Sequence, residues 1–473
     1  MTQNLKVLLG LALISLLVSV SPAASMAQQL SMEAVVNSAV NHYPKVLQAV
    51  ADVEGRRGAL QETQGAFDGK LKGSGDARDQ GYYNGDAYKI QIEKPIPYLN
   101  GRVYGGHRVS RGIFPEYEGK SRTLNRGENF LGVSLSVLRD SLFDAPRYDI
   151  QIAKENLQQS ELKLEETKLT VQNLAIQSYW TWVTKGYEMD VYSDLLNLAK
   201  NRGKGLKRRI RAGDLARIYE TENQQYIQKR ESKYRQVSAD FRQASFYLSL
   251  FFRDSNGKRI TPNKDQIPNL DQLQLSKTDP LPTLVNAAFG RSYQLRALAS
   301  QRRQAQQTTR LGKNILLPKV DLAYEISKDQ GAAQAPNSFT RAPQETRIML
   351  NVEVPLEFRK GRGKKIQGRM KENETNLKIQ FLKEKIRAQL ESLHVKIDAI
   401  VEISKINKDR ISLAQKLTDA EMTKFRRGAS DLILVNFREE NLAESRLTYL
   451  ESILKYQIFS AELNELIIRK LFE

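Results

Sequence analysis

Ile386-Arg-Ala-Gln-Leu390-Glu-Ser-Leu393-His-Val-Lys-Ile397-Asp-Ala-Ile400 carries its apolar residues at intervals of four, three, four and three. That is the seam of a coiled coil, in which one narrow stripe of a helix is buried against a neighbour. The seam lies within a proline-free run from Gly363 to Phe425. Three comparable runs exist: Asp144 to Arg202, whose only proline is Pro146, then Ala216 to Phe252 and Asp431 to Leu471. At 1.5 Å per residue the longest of these would reach roughly 80–90 Å. Rods of that length cannot bury themselves in a compact globule, so they must pack side by side, including against copies of themselves.

Outward from the seam, the chain reads as two copies of one unit. Residues 28–252 open on Leu30-Ser-Met-Glu-Ala-Val-Val-Asn-Ser-Ala39, and residues 281–473 open on Leu281-Pro-Thr-Leu-Val-Asn-Ala-Ala288. Both pieces share Val-Asn-small-Ala, and both continue through an arginine pair, Arg56-Arg57 and Arg302-Arg303. Strand-like sequence follows in each copy, within about 67–138 and 318–356. A helix hairpin comes next, over about 144–252 and 363–471, turning at Arg211-Ala-Gly213 and Arg426-Arg-Gly428. Between the copies, residues 253–280 are rich in Asp, Asn and Pro, the composition of a linker.

The strand segments alternate at period two. Tyr88, Ile90 and Ile92 oppose Lys89, Gln91 and Glu93, and Leu131, Val133, Leu135 and Val137 oppose Gly132, Ser134 and Ser136. In the second copy Val320, Leu322, Tyr324 and Ile326 alternate with Asp321, Ala323 and Glu325, and Ile348, Leu350, Val352 and Val354 with Met349, Asn351 and Glu353. Apolar-out and polar-in alternation suits a water-filled membrane barrel. A half-buried sheet in a soluble domain alternates in the same way. The strands alone leave both readings open, and the long rods favour the first.

The N-terminus sets the compartment. Lys6 precedes an apolar stretch from Val7 to Val20, too short for a membrane helix but suited to a secretory signal. Ser25 and Ala27 fit the small residues before a cleavage site, which makes 1–27 a signal peptide. With no cysteine in the chain, disulfides, thiolate metal sites and a lipid-modified anchor are excluded. No later window is apolar enough for a membrane helix, so any membrane crossing requires strands closed into a barrel. The net charge of +19 would suggest nucleic acid in a cytoplasmic protein. In an exported one, Lys and Arg coating long helices account for it, and no nucleic-acid partner is expected.

With these features in order, the chain resembles the TolC-like outer-membrane efflux family. Ser141-Leu-Phe-Asp-Ala-Pro146 and Val354-Pro-Leu356 stand where that family passes from strands into helices. The stretch from Arg427-Gly-Ala-Ser-Asp to Leu442 is similar to its second hairpin turn. The resemblance implies a mainly α fold with membrane β. Long antiparallel helix hairpins would form an α-barrel in the periplasm, and a transmembrane β-barrel would form by oligomerisation. It further implies a homotrimer giving four strands per chain to twelve in all, set in outer-membrane lipid. Such a duct carries out efflux or type I secretion, docked to a periplasmic adaptor and an inner-membrane transporter, without catalysis or cofactor. A periplasmic coiled-coil scaffold or adaptor without a barrel is the alternative, although adaptors usually have one helix hairpin rather than two.

Two departures stand out. Ala39 to Gly213 spans 174 positions whereas Ala288 to Gly428 spans 140. The excess lies in the strand region, where Ala87–Lys94 and Gly101–Arg111 read as an extra hairpin joined by Pro95-Ile-Pro-Tyr-Leu-Asn100. The pair can either enter the barrel, giving six strands per chain, or decorate it, and the expectation is four strands per chain in the barrel. Second, the family often places Asp six and nine positions beyond the second turn's glycine, as an acidic ring. Leu434 and Phe437 occupy those positions here, with Asp431 nearer the turn and Tyr219 at the sixth position of the first copy. These four are the gate candidates, and an apolar ring there would hold back ions by dewetting. Tip candidates for adaptor contact are Ala212, Gly213, Asp214 and Leu215, with Arg427, Gly428 and Ala429.

Other features have bland readings. The basic run Lys200 to Arg211 fits a solvated helix end or an electrostatic landing site for an acidic partner. A second basic cluster, Arg359 to Lys371, is expected just below the barrel, facing water or lipid headgroups. Trp180 and Trp182 lie deep in a helix, where packing is favoured over an interfacial role. His42, His107 and His394 lack metal-ligand spacing. Glu165-Glu166 and Glu439-Glu440 read as charge on solvated rods.

Overall fold

The computed structural model describes residues 29–81, 84–112, 114, 122–270, 273–332 and 344–469. The signal segment, 1–27, lies outside them. Helices α1 (Met32–His42) and α2 (Pro44–Gln64) lead into strands β1 (Lys70–Arg78), β2 (Gly85–Pro95), β3 (Arg102–Gly112) and β4 (Glu128–Ser136). Helices α3 (Ala145–Arg211) and α4 (Ile218–Leu248) follow. The chain then crosses to α5 (Leu281–Arg291), α6 (Tyr293–Ile315), β5 (Lys319–Asp329), β6 (Gln344–Glu353), α7 (Arg359–Arg426) and α8 (Leu432–Leu466).

Local chemistry sets the ends of the rods. Asp144 caps α3 by accepting the Arg147 N–H, and Pro146 occupies its first turn, where a missing N–H costs nothing. At 67 and 68 residues, α3 and α7 each extend about 100 Å. The helix-period reading of both runs therefore holds, with α7 starting four residues before Gly363. Helices α2 and α6 continue the short opening helices α1 and α5, and few of their side chains are buried. Of 21 residues in α2, only Val46 and Val53 are buried.

The six strands form one antiparallel sheet in the order β1-β2-β3-β4-β5-β6. Strands β2 and β3 fall on the Ala87–Lys94 and Gly101–Arg111 segments, and in the sheet they stand between β1 and β4. Arg102 pairs with Ser134 and Arg108 with Glu128, so β4 could not reach β1 without them.

The register puts every second residue on a common face. Leu71, Tyr88, Ile90, Ile92, Leu131, Leu322, Tyr324, Ile348, Leu350 and Val352 are exposed on one side. The opposite side carries Lys72, Glu93, Lys89, Arg108, Glu128, Glu325 and Arg347, several of which pair across the strands. Lys72 reaches Glu93 at 2.7 Å, and Arg108 contacts Glu128 on β4 and Glu325 on β5, the latter at 3.6 Å. Lys89 lies 4.7 Å over the ring of buried Phe130. The exposed side is thus mainly apolar, with His107 and Asn129 as a polar pair within it, and the sheltered side charged, the reverse of a sheet folded around an oily core.

Below the sheet, α6 and α7 approach closely through glycines. A Cβ on Gly312 would lie 2.4 Å from the Lys365 nitrogen, and one on Gly368 2.5 Å from that of Thr309. The Arg359–Lys371 cluster forms the opening turns of α7, at this crossing.

Two apolar clusters hold the middle of the rods. In the larger, Trp182 is fully buried beside Phe241, and Tyr179, Val35, Val36 and Leu248 complete its centre. Both tryptophans are therefore packing residues, 7 % exposed at most. The interunit crossing lies over this cluster. Tyr187 donates to the Pro268 carbonyl, and Ile267 sits where a Cβ on Gly186 would fall. The second cluster holds the seam: Ile386, Leu390, Leu393 and Ile397 pack on Leu284, Val285 and Ala288 of α5 and Leu463 of α8. The seam is thus satisfied within the chain. A second stripe on α7, including Ile366, Met370, Leu377, Phe381, Val395, Ile406 and Leu413, remains exposed.

Candidate gate and docking tips

Both helix hairpins reverse at a glycine in the left-handed region, Gly213 at φ 82° and Gly428 at φ 76°. In the first, Gly213 N–H donates to the Ile210 carbonyl and Asp214 N–H to that of Arg209. In the second, Gly428 N–H donates to Phe425 and Ala429 N–H to Lys424. The paired closing bonds satisfy helix-end carbonyls, and the positive φ is one that glycine adopts without steric cost.

The two tips of the chain meet. Leu206, Phe425, Leu432 and Val435 form a buried knot, flanked by Ile210, Leu215, Tyr219 and Met422. Of the expected tip residues, Ala212, Gly213, Asp214, Arg427, Gly428 and Ala429 are exposed, whereas Leu215 turns into the knot. The gate candidates separate. Leu434 and Phe437 lie one turn apart and exposed, at 44 % and 54 %. Tyr219 sits at the edge of the knot instead. Asp431 caps α8 by accepting the Leu434 N–H at 2.8 Å, which ties its carboxylate to the helix end.

Just above the knot is a polar network that the sequence did not announce. Glu439, 2 % exposed, accepts from Arg202 of α3 at 2.6 Å and from Arg230 of α4 at 2.9 Å. Asn436, one turn earlier, accepts from the same two guanidinium groups, each at 3.1 Å. Arg230 also donates to the Leu195 carbonyl, and Asn223 to that of Ala199. Burial pulls the Arg202 guanidinium below its usual pKa, with Glu439 acting in the opposite direction. Two buried cations share one carboxylate here, so removing that carboxylate strands both. Arg202 therefore leaves the basic run at the first tip, while Lys207 stays in solvent opposite Glu220 at 3.4 Å. One signal was present: Asn436 and Glu439 interrupt the buried apolar stripe of Leu432, Val435 and Leu442 on α8.

Among the described residues no group of three or more His, Cys, Asp or Glu side chains converges as a metal site. His394 contacts Thr278, and His107 lies 2.8 Å from Asn129. No described helix is long and apolar enough to cross a membrane.

These features define a fold, long antiparallel helical rods joined to one six-stranded antiparallel sheet. No protein-family model matches the chain, and no curated protein sequence does. Solved structures do match. A membrane protein from Pseudomonas aeruginosa aligns at TM-score 0.69 with 10 % identity, over 93 % of each chain. The open state of the MtrE outer membrane channel of Neisseria gonorrhoeae aligns at 0.65 with 10 % identity, over 92 % of this chain and 88 % of that one. The outer membrane protein VceC of Vibrio cholerae aligns at 0.63 with 12 % identity, over 92 % and 95 %. The chain shares their fold, which is the TolC-like one.

Proposed function

We propose that this chain is the subunit of an exported outer-membrane channel, a passive duct for efflux or type I secretion. In this reading three copies assemble, the sheets closing a barrel in lipid and the rods lining a periplasmic tunnel. The observation that carries it is the inverted sheet, mainly apolar where exposed and charged where sheltered, joined to rods about 100 Å long. Open edges on β1 and β6 support assembly, because each unpaired backbone group in hydrocarbon costs several kcal/mol. The equal element order of 29–252 and 281–469, apart from β2 and β3, supports descent from two copies of one unit.

The exposed tips are the proposed contact with a periplasmic adaptor and, through it, an inner-membrane transporter. Leu434 and Phe437 form the proposed hydrophobic gate. A soluble coiled-coil scaffold is the second reading, and the sheet speaks against it, since Ile348 and Leu350 would stand 71 % and 64 % exposed to water.

Fractionation tests the proposal. A heat-modifiable, detergent-extracted trimer from the outer membrane is expected, and finding the chain soluble in the periplasm would overturn it. For the gate, Leu434→Ser with Phe437→Ser should raise single-channel conductance. Unchanged conductance would remove these residues from the gate.

A further inference from the structure

We infer that all six strands of each chain enter the barrel wall, so that the trimer proposed above closes eighteen strands rather than twelve. The inference rests on that channel reading and concerns the wall alone.

The order of the sheet carries the argument. The six strands are one continuous antiparallel sheet, with β1 paired to β2 along nine residues, β2 to β3 along eleven and β3 to β4 along seven. Lifting β2 and β3 out would separate β1 from β4 and expose two further edges to lipid. The side chains agree with the backbone. Outward Tyr88, Ile90 and Ile92 on β2 continue the apolar face of Leu131 on β4 and Tyr324 on β5. Inward, Glu93 takes Lys72 from β1, and Arg108 of β3 ties to Glu128 and Glu325. An appendage outside the barrel would need neither a lipid-facing row nor charges continuous with the lumen row.

The edges complete the case. The strand number is even, so β6 runs down toward the helices where β1 runs up from them. A neighbouring copy's β1 therefore meets β6 antiparallel, as every other pair in the sheet. Their inward rows are of opposite balance: Lys70, Lys72 and Arg78 against Asp76 on β1, and Glu345 and Glu353 against Arg347 on β6. Lys70 and Glu353 both lie at the helix end of their strands.

Barrel diameter grows nearly in proportion to strand number. Eighteen strands give a wall about 1.5-fold wider than twelve, roughly 36 Å between backbones at a tilt near 40°. The outer mouth is then of porin width, and the narrow point of the duct is displaced to the helix tips.

Imaging the full-chain oligomer in a lipid nanodisc counts strands and copies separately. Six strands per copy in one closed wall is the expected result. Four per copy, with 85–112 off the wall, would overturn the inference and leave the channel standing. Absence of any membrane oligomer would overturn both. Because the chain has no native cysteine, Ser74→Cys combined in turn with Met349→Cys and Asn351→Cys gives a second readout. Oxidation should yield dimers and trimers for at least one pair. Cross-links confined within single chains would mean that six strands close on themselves, which overturns the shared wall.

Discussion

Replacing Glu439 by Gln keeps the shape of the side chain and removes the charge on which Arg202 and Arg230 converge. Each loses a charge-assisted hydrogen bond, at 2.6 and 2.9 Å, that contributes about 1.5–3 kcal/mol. Glutamine retains a carbonyl that can accept from one of them, and Asn436 still accepts from both. The net loss should then be about 3 kcal/mol, at the lower end of the range for breaking a buried ion pair. The loss falls on the junction of α3, α4 and α8, which is close to the tips and remote from the main core. Amide exchange in α4 and in α8 from Leu432 to Leu442 should therefore accelerate about 100-fold, since every 1.4 kcal/mol is tenfold. Exchange in the Trp182 region should not change. Acceleration of less than about fivefold would refute the reasoning, because the network would then contribute no more than an exposed ion pair. A Glu439→Leu variant carrying Arg202→Leu and Arg230→Leu should recover much of the lost protection, as no cation is left buried alone.

Trp182→Ala should cost about 3–5 kcal/mol, because the indole is fully buried against Phe241 and Tyr179, and should lower the melting temperature of the purified protein. Gly106→Ala should abolish assembly in outer-membrane extracts, since its Cβ would lie 2.1 Å from the Ile90 carbonyl oxygen, whereas Gly73→Ala, with open space around it, should assemble normally. Burial alone would raise the Glu155 pKa, but hydrogen bonds from Arg303 and Ser300 outweigh it and hold the carboxyl below its usual value of 4.5. The stability contributed by this contact is therefore complete above pH 4.5 and is lost as pH falls through the lower folded value. Arg303→Gln should flatten that acid dependence of thermal melts between pH 5 and 3, by under about 1 kcal/mol because Arg303 is partly exposed.

The rods and strands were legible because each repeats one simple period over many residues. The seam from Ile386 to Ile400 and the alternation from Tyr88 to Glu93 needed no partner to be seen. What the sequence could not supply was adjacency between distant segments. Strand order is of this kind: the extra hairpin was visible, yet its place between β1 and β4 depends on pairings across the whole strand region. The Glu439 network is another, since Arg202 and Arg230 reach it only after two hairpins have packed together. Glu439 looked like one of many carboxylates on a charged rod because helix periodicity alone does not tell which polar residue faces inward. Helices α2 and α6 continue the short opening helices α1 and α5. Few of their side chains are buried, and part of the contact between α6 and α7 is made by glycines.

Those glycines have a mechanical consequence. Where Gly312 and Gly368 bring α6 and α7 nearly into backbone contact, the rods are held beneath the sheet, and the Trp182 and Leu390 clusters hold them again midway. The span of α7 beyond Val401, the last residue of its cluster, is 25 residues or about 38 Å. Each degree of tilt about the mid-rod cluster therefore moves the tip by only about 0.7 Å, and the two rod anchors together keep the tips in register.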